Sequence, residues 1–382
     1  MSYMNKVVIS VGYGEHLFVE GNAERLRMEA CAREVGVYQM VVFVKNNNLT
    51  VVHDQESGLS LYPIAARLSI LKLLKAILIT RKLVAGDGEG VTVTAQDPFE
   101  TGLVAWLSTR FNRAKLNIQE HGDVFSTNYW RNESALNQVR FKLGLFLIKR
   151  ADSVRVVSKR IKNTLVRRGV DENSIKQLPV VTDPSQFENT PASTEPRTMF
   201  ESGAFIFLSI ARFVPQKNFP LLIKSFYEAR KNCSHIRLLI AGTGEEHDAM
   251  KGMIADLDPD LDAPSIRIIS WINDVPGFMK GSDAYVLSSN YEGWGRVLIE
   301  AKYSELPVVT TDVGCVGEAV LDKLHGKVVP LDDVASLSKA MVEMASDKEA
   351  YTSYVNNLKK EVASSDSLST YAKRWATVTI TD

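Results

Sequence analysis

Short β-rich apolar runs, separated by helix-length segments, recur along the whole chain, and this alternation restricts its fold more than any other feature. "KVVISVG" (6–12), "VYQMVVFV" (37–44), "VTVTAQD" (91–97), "KLNIQEH" (115–121) and "SVRVVS" (153–158) read as strands, with helices over 22–34, 63–83, 134–150 and 159–168. The second half repeats the pattern with "FIFLSIARF" (205–213), "IRLLIAGTG" (236–244), "IRIISW" (266–271), "AYVLSS" (284–289) and "PVVTTD" (307–312). Strands apolar on both faces cannot lie open to water, so they predict parallel sheets covered by helices on both sides.

The alternation breaks over 183–203, "DPSQFENTPASTEPRTMFESG", which is polar, aperiodic and rich in Pro, Ser and Thr. A chain of 382 residues exceeds what one core usually covers. The expected fold is therefore α/β, with two Rossmann-like domains facing across a cleft. Residues 1–185 form the first domain and 186–366 the second, and the tail 367–382 forms a last helix that packs back on the first.

The formal net charge of zero hides an asymmetry. Residues 1–185 carry 25 Lys/Arg against 18 Asp/Glu, a balance of +7, and the remainder carries 20 against 27, a balance of −7. The first half favours anionic ligands or surfaces, but the excess is too diffuse to indicate nucleic acid. Cys31, Cys233 and Cys315 lie far apart with no CxxC, which fits a reduced compartment and neither a disulfide framework nor a metal site. No signal peptide precedes the first strand and no uncharged run is long enough to span a bilayer, so a cytoplasmic location is expected.

Ligands of open parallel sheets gather at the carboxyl ends of the strands, where helix N-termini present free N–H groups. Four such places stand out in the second half. Arg212 and Lys217 follow the first strand and enter the next helix, where two cations oppose the helix dipole unless an anion sits between them; a solvated loop pair is the plainer alternative. Gly242 and Gly244 follow the second strand and permit close backbone approach, to a ligand or simply in a tight turn. After the third strand, Trp271 or Ile272 could lie against a nucleobase, although a core tryptophan explains the same residue. The fourth place is "NYEGWGRVLIEAK", with Glu292 at a strand end, Gly293, Trp294 and Gly295 in the turn, and a helix from about Trp294 through Tyr303 that carries Glu300. Two carboxylates so placed suit vicinal hydroxyls of a sugar or ribose, at about 1.5–3 kcal/mol per charge-assisted bond.

These four features in this order resemble the retaining glycosyltransferases of the GT-B fold, in particular family 4 (glycosyl transferases group 1). The E-x7-E element stands here as "EGWGRVLIEA", followed by "ELPVVTTDVGCVGE", and preceded by "ARFVPQKN" and "AGTGEE". In the first domain "TAQDPFETG" and "QEHGDVFSTNYW" match more loosely. The resemblance implies a hexosyltransferase of cell-envelope or polysaccharide biosynthesis. It would move a sugar from a UDP- or GDP-sugar to a glycan or lipid-linked acceptor with retention of configuration. No metal and no cofactor beyond the nucleotide-sugar co-substrate is implied. Arg212 and Lys217 would hold the diphosphate, Glu292 and the backbone of Gly293, Trp294 and Gly295 the sugar and phosphate, Glu300 the ribose and Ile272 the base. Gly242 and Gly244 would line the donor site, and His121 would reach the sugar near its reacting carbon. The first-domain glycine loop departs from the pattern, leaving Gly12, Gly14 and Gly21 as candidates for an acceptor or phosphate loop. Ser270, Glu305 and Cys315 stand where the family usually has glycine. A nucleotide-sugar epimerase of the same fold and a non-catalytic two-lobed sugar-binding protein are the rival readings.

From Ser57 to Gly86 no acidic residue occurs, while Arg67, Lys72, Lys75 and Lys82 fall within about 140° of a helical wheel. The segment 61–83 thus reads either as a basic amphipathic helix in peripheral contact with a membrane or as a buried crossover helix with one wet edge.

Overall fold

The computed structural model describes residues 6–66, 69–84, 86, 88–257, 264–362 and 367–380. The chain divides into two compact units, one of Met1–Val181 with Asp366–Asp382 and one of Thr182–Ser365.

The first unit is built on β1 (Lys6–Tyr13), β2 (Gly36–Phe43), β3 (Val52–His53), β4 (Leu59–Ile64), β5 (Val91–Ala95), β6 (Lys115–Glu120), β7 (Ser153–Val156) and β8 (Ile175–Gln177). They form one sheet in the order β3-β4-β2-β1-β5-β6-β7-β8. Every pairing is parallel except β3 with β4. On one face the helices Ala23–Val35 and Leu368–Thr379 pack together over Val8, Tyr38, Met40 and Val42, and Trp375 is 1% exposed in that core. Arg155 of β7 fastens the final helix in place: its Nη2 donates to Tyr371 Oη at 3.0 Å and to the Leu178 carbonyl at 3.2 Å. Ser69–Val84, Glu100–Thr109 and Ala135–Ile148 form a separate layer, in which each helix touches the next.

The second unit is built on β9 (Phe205–Ile210), β10 (Ile236–Ala241), β11 (Ile266–Ile269), β12 (Ala284–Leu287), β13 (Val308–Thr311) and β14 (Gly326–Val329), all parallel. Their order is β11-β10-β9-β12-β13-β14. Counted along the chain this is 3-2-1-4-5-6, the doubly wound Rossmann order, and β9 and β12 flank the point where the winding reverses. Alternate strand residues feed cores on the two faces: Phe207, Leu238 and Ile240 on one, Ile206, Leu208 and Leu239 on the other.

Three local expectations are corrected. Residues Leu59–Ile64 form β4 rather than the start of a helix over 63–83, and the helix that follows is Ser69–Val84; Arg67 lies outside the described residues. Pro63 is tolerated in β4 because β3 pairs only with Ser60 and Leu61, so the missing Pro63 N–H costs no bond on that side. The helix after Glu292 is Arg296–Tyr303, not one from Trp294, because Gly295 caps it with φ 76°, a left-handed conformation that ends helical geometry. Trp271 is 51% exposed and is not a core tryptophan. Among the described residues no helix is long and apolar enough to cross a membrane.

Candidate functional site in the second unit

At the winding reversal, the loops that leave β9 and β12 are stitched together. Asn290 N donates to the Gln216 carbonyl at 2.9 Å, Gln216 Nε2 to the Tyr291 carbonyl at 2.9 Å, and Ser288 Oγ to the Lys217 carbonyl at 2.8 Å. Asn218 adopts φ 48° and caps the helix Phe219–Asn232, its Oδ1 accepting from Leu221 N at 3.2 Å while its Nδ2 donates to Asn290 and Asp332. This stitching brings Lys217 to Glu292 across 75 residues of sequence, with Nζ 2.5 Å from Oε1. Their side chains are 14% and 10% exposed, and Ser289 Oγ donates to the same carboxylate oxygen at 2.8 Å. Arg212, at the mouth of the same loop, is exposed, and its side chain makes no hydrogen bond or ion pair among the described residues.

Gly242 and Gly244 lie where the loop after β10 meets the loop after β9. A Cβ on Gly242 would sit 1.9 Å from the Ala211 carbonyl oxygen, and one on Gly244 would sit 2.3 Å from that of Phe213. Both also carry positive φ, so what demands glycine here is the neighbouring backbone. Ile272 is half-buried against the core below the strand ends, beside the exposed Trp271. Gly293 is buried and Trp294 half-buried in the turn before Arg296. Glu300 receives Arg296 Nη2 at 3.4 Å, and burial holds its carboxyl above the usual carboxylate range against the lowering effect of Arg296.

The loop after β13 closes the site from the other side. Cys315 N donates to the Trp294 carbonyl at 2.8 Å, and Thr311 Oγ1 to that of Ser289 at 2.8 Å. Gly314 approaches so closely that a Cβ there would lie 2.5 Å from the Trp294 carbonyl oxygen. Sequence reasoning does not single out Gly314, Ser289 or Asn290; a glycine soon after a strand end, as in "TTDVG", is the signal that could have found the first.

Residues 194–361 match the family described as "Glycosyl transferases group 1". Those residues form a group 1 glycosyltransferase domain. The chain is 24% identical over 293 residues to an Escherichia coli UDP-Gal:alpha-D-GlcNAc-diphosphoundecaprenol alpha-1,3-galactosyltransferase, covering 74% of this chain and 73% of that one. It is 22% identical over 327 residues to a Mycolicibacterium smegmatis GDP-mannose-dependent alpha-(1-6)-phosphatidylinositol monomannoside mannosyltransferase, covering 82% of each. Anabaena HepE, solved in complex with UDP and glucose, shares the fold with a TM-score of 0.73 at 15% identity, over 98% of this chain and 99% of that one. The fold of the chain is accordingly GT-B.

In the first unit, His121 follows β6 and its Nε2 lies 2.9 Å from Gln119 Oε1. That oxygen also accepts from Arg155 Nη1 at 2.8 Å, while Gln119 Nε2 donates to Thr94 Oγ1 at 2.9 Å. Burial, then the positive charges of Arg155 and Arg27, push the His121 pKa down to about 3. The ring is therefore neutral, with its proton on Nε2 toward Gln119 and an acceptor lone pair on Nδ1. Beside it lies a cavity of about 70 Å³ lined by Ser10, Arg27, Gln96 and Arg155 among others.

Of the three first-unit glycines, Gly12 sits against the Gln96 side chain, which fills its Cβ position, and Gly21 faces open space. Gly14 lines a pocket of about 530 Å³ at the carboxyl ends of β1 and β2. Its floor includes Tyr13 and Phe43, with ring centroids 5.4 Å apart, and its rim carries Glu15, Lys72, Glu100 and Arg140. Arg140 Nε donates to Glu100 at 2.9 Å, and Lys72 Nζ to the Val44 carbonyl at 3.0 Å. None of these six was singled out from sequence as a pocket residue, because they come from five segments that only the β1/β5 winding reversal brings together.

Proposed function

We propose that this chain transfers a hexose, with retention of anomeric configuration and without a metal ion, from a UDP- or GDP-sugar to a glycan or lipid-linked acceptor. The observation that carries the reading is the nearly buried Lys217–Glu292 pair at the winding reversal of the family-matched unit, with the unpartnered Arg212 at the same loop mouth. An internal ion pair contributes little net stability and is weak as a purely structural device. It gains a purpose if a dianion enters, draws Lys217 and Arg212 to itself, and frees the Glu292 carboxylate for sugar hydroxyls.

In the proposed reaction the bond between the anomeric carbon and the β-phosphate oxygen breaks, and its electron pair stays on the phosphate. Lys217 and Arg212 stabilise that growing charge, taking the part a divalent ion could otherwise play. The acceptor hydroxyl oxygen bonds to the same face of the anomeric carbon, and its proton passes to the departing phosphate. Glu292 keeps the Ser289 hydrogen bond and takes sugar hydroxyls in place of Lys217, so it serves as a hydrogen-bond acceptor rather than a nucleophile, and the two-carboxylate arrangement of glycosidases does not apply. Glu300 holds the ribose, and the Gly293–Gly295 backbone addresses the sugar and phosphates. Gly242 and Gly244 let the backbone approach the donor, and Ile272 borders the base. His121 offers its Nδ1 lone pair to a hydroxyl of the transferred sugar. The Tyr13 pocket takes the acceptor, its aromatic floor supporting the apolar face of a sugar ring.

A thermal-shift panel of uridine, guanosine and adenosine diphosphate sugars tests the donor site. At least one should stabilise the wild type, and Arg212→Ala should lose that stabilisation; stabilisation by none sinks the reading. Turnover that persists unchanged in both Glu292→Ala and Lys217→Ala refutes the residue roles, and turnover abolished by EDTA but restored by magnesium refutes metal independence.

A further inference from the structure

We propose that the outer face of the three-helix layer in the first unit is a docking surface for an anionic lipid bilayer. A helix packed on a sheet normally buries its leucines and exposes its polar residues. The helix Ser69–Val84 turns Ala76, Thr80 and Val84 inward, which leaves Ile70, Leu74 and Leu78 outward at 62%, 51% and 67% exposure. These three repeat at i, i+4 and i+8 and form one stripe. The helix Ala135–Ile148 does the same with Leu136, Val139 and Phe146, at 55%, 63% and 40%. Between them, just beyond the helix Glu100–Thr109, Phe111 is 83% exposed. Scattered exposed apolar residues are ordinary, whereas parallel stripes on adjoining helices make a patch.

The charge carried by these three helices is mostly positive. Lys75, Arg81 and Lys82 share the outward arc of the first helix, and Lys142, Lys149 and Arg150 are exposed along the third. No Asp or Glu occurs in residues 69–84, 101–118 or 134–151. Glu100, at the start of the middle helix, is engaged by Arg140.

The face is also continuous. Arg81 Nη2 donates to the Leu107 carbonyl at 2.8 Å, joining the first helix to the second, and the Trp106 and Phe146 rings meet edge-on at 5.6 Å, joining the second to the third. Arg110 lies 4.9 Å over the Trp106 ring and Arg150 lies 3.5 Å over Phe146, so guanidinium groups are held at the level of the apolar surface. Rows of exposed aliphatic and aromatic side chains need hydrocarbon, and a mostly cationic border needs phosphate. The boundary between headgroups and acyl chains of an anionic leaflet supplies both at one depth.

Ser69, Lys72, Glu100 and Arg140 of the same layer line the 530 Å³ pocket. Docking this face therefore holds the acceptor pocket at the membrane surface, where a lipid-linked acceptor resides. That meaning rests on the transferase reading, but docking itself is measured without donor or acceptor.

Flotation of the full chain with phosphatidylcholine vesicles, with and without phosphatidylglycerol, tests the proposal. The wild type should float with the anionic vesicles, stay behind with phosphatidylcholine alone, and be released by salt. Leu74→Glu/Leu78→Glu should lower the bound fraction at least about tenfold, and Phe111→Ser severalfold, because each places a polar group where hydrocarbon contact is required. Leu257→Glu, exposed in the second unit, should change nothing, and all four proteins should melt alike, since every altered side chain is solvent-exposed. Equal flotation of the double variant and wild type overturns the proposal, as does failure of the wild type to float. A wild-type dimer in light scattering that the double variant dissociates, without flotation of either, also overturns it and assigns the face to a second copy of the chain. Loss of flotation with wild-type turnover of a soluble acceptor supports docking; absence of turnover in both proteins counts against the transferase reading and leaves the flotation result standing.

Discussion

Replacing Glu292 with alanine leaves the Lys217 ammonium in a loop where its side chain is only 14% exposed and where nothing else carries a compensating charge within the pair. Breaking a buried pair from one side costs about 3–5 kcal/mol, and the residual exposure of both partners brings the expectation to the lower end, about 3 kcal/mol. The Ser289 hydroxyl also loses its acceptor, a neutral loss of about 1 kcal/mol already contained in that range. Lys217→Ala should cost less, about 2 kcal/mol, because Ser289 still donates to the stranded carboxylate. If both side chains are removed the stranded charge disappears, so the double variant should cost about 2–3 kcal/mol rather than the sum, a coupling of about 2 kcal/mol. For a unit of this size 1 kcal/mol moves the midpoint by about 2–4 °C, so Glu292→Ala should melt about 6–12 °C below wild type. Calorimetry of the four proteins measures this directly. A second arm separates structure from function: UDP should raise the melting temperature of Glu292→Ala more than that of wild type, since its diphosphate replaces the lost partner of Lys217, and should do little for Lys217→Ala. Single-variant shifts under about 1 °C, or additivity across the cycle, would falsify the description of this pair as buried and coupled.

Three further outcomes are expected. Gly244→Ala should destabilise the second unit by about 3 kcal/mol in urea titrations, because its Cβ would lie 2.3 Å from the Phe213 carbonyl oxygen and neither backbone can yield alone. Glu305→Gly should stabilise by about 0.5–1 kcal/mol: Glu305 holds φ 58° at the end of Arg296–Tyr303, where Glu305 N bonds to the Lys302 carbonyl and Leu306 N to that of Ala301, a Schellman ending that favours glycine. The third concerns pH. Burial pushes Glu120 up to about 8 and Asp123 up to about 7, so the folded chain keeps protons that the unfolded chain releases, and stability should fall as pH rises from about 4.5 to 8, by up to about 1.4 kcal/mol per unit per group. His121 acts oppositely: its folded pKa is depressed, so its contribution is present above pH 6.5 and is lost as pH falls toward 3. Urea midpoints measured across this range should flatten on the alkaline side in Glu120→Gln; an unchanged slope there shows that the Glu120 carboxyl is not the source.

The strands that were legible in the sequence are those buried on both faces, such as Val8–Val11 and Leu238–Ala241, because burial on both sides writes a largely apolar run. Those that were not are short or peripheral. β3 has two residues, β8 three, and β4 carries Pro63 beside a basic, leucine-rich stretch whose helical signal overran it. In the candidate site, Lys217 and Glu292 were each visible from their strand-end positions. Their mutual bond was not, since it depends on β9 and β12 being neighbours, a fact of sheet order that local sequence does not carry. Gly242 and Gly244 show the converse: the sequence marks them as places of close approach, and the group that approaches is the chain's own backbone.

The helix Leu368–Thr379 belongs to the first unit, although the chain reaches it only after Thr182–Ser365 has been threaded. During synthesis the first unit therefore emerges first and is finished last. Until the helix Leu368–Thr379 leaves the ribosome, the site that Trp375 and Tyr371 fill stays open to water, and Arg155 lacks one of its acceptors. The second unit, unbroken in sequence, has every strand available before that moment. Domains usually mature in the order they are made; here the nascent chain should complete its second unit while the first waits for the helix Leu368–Thr379, a window in which chaperones and proteases meet a sheet lacking one of its covering helices.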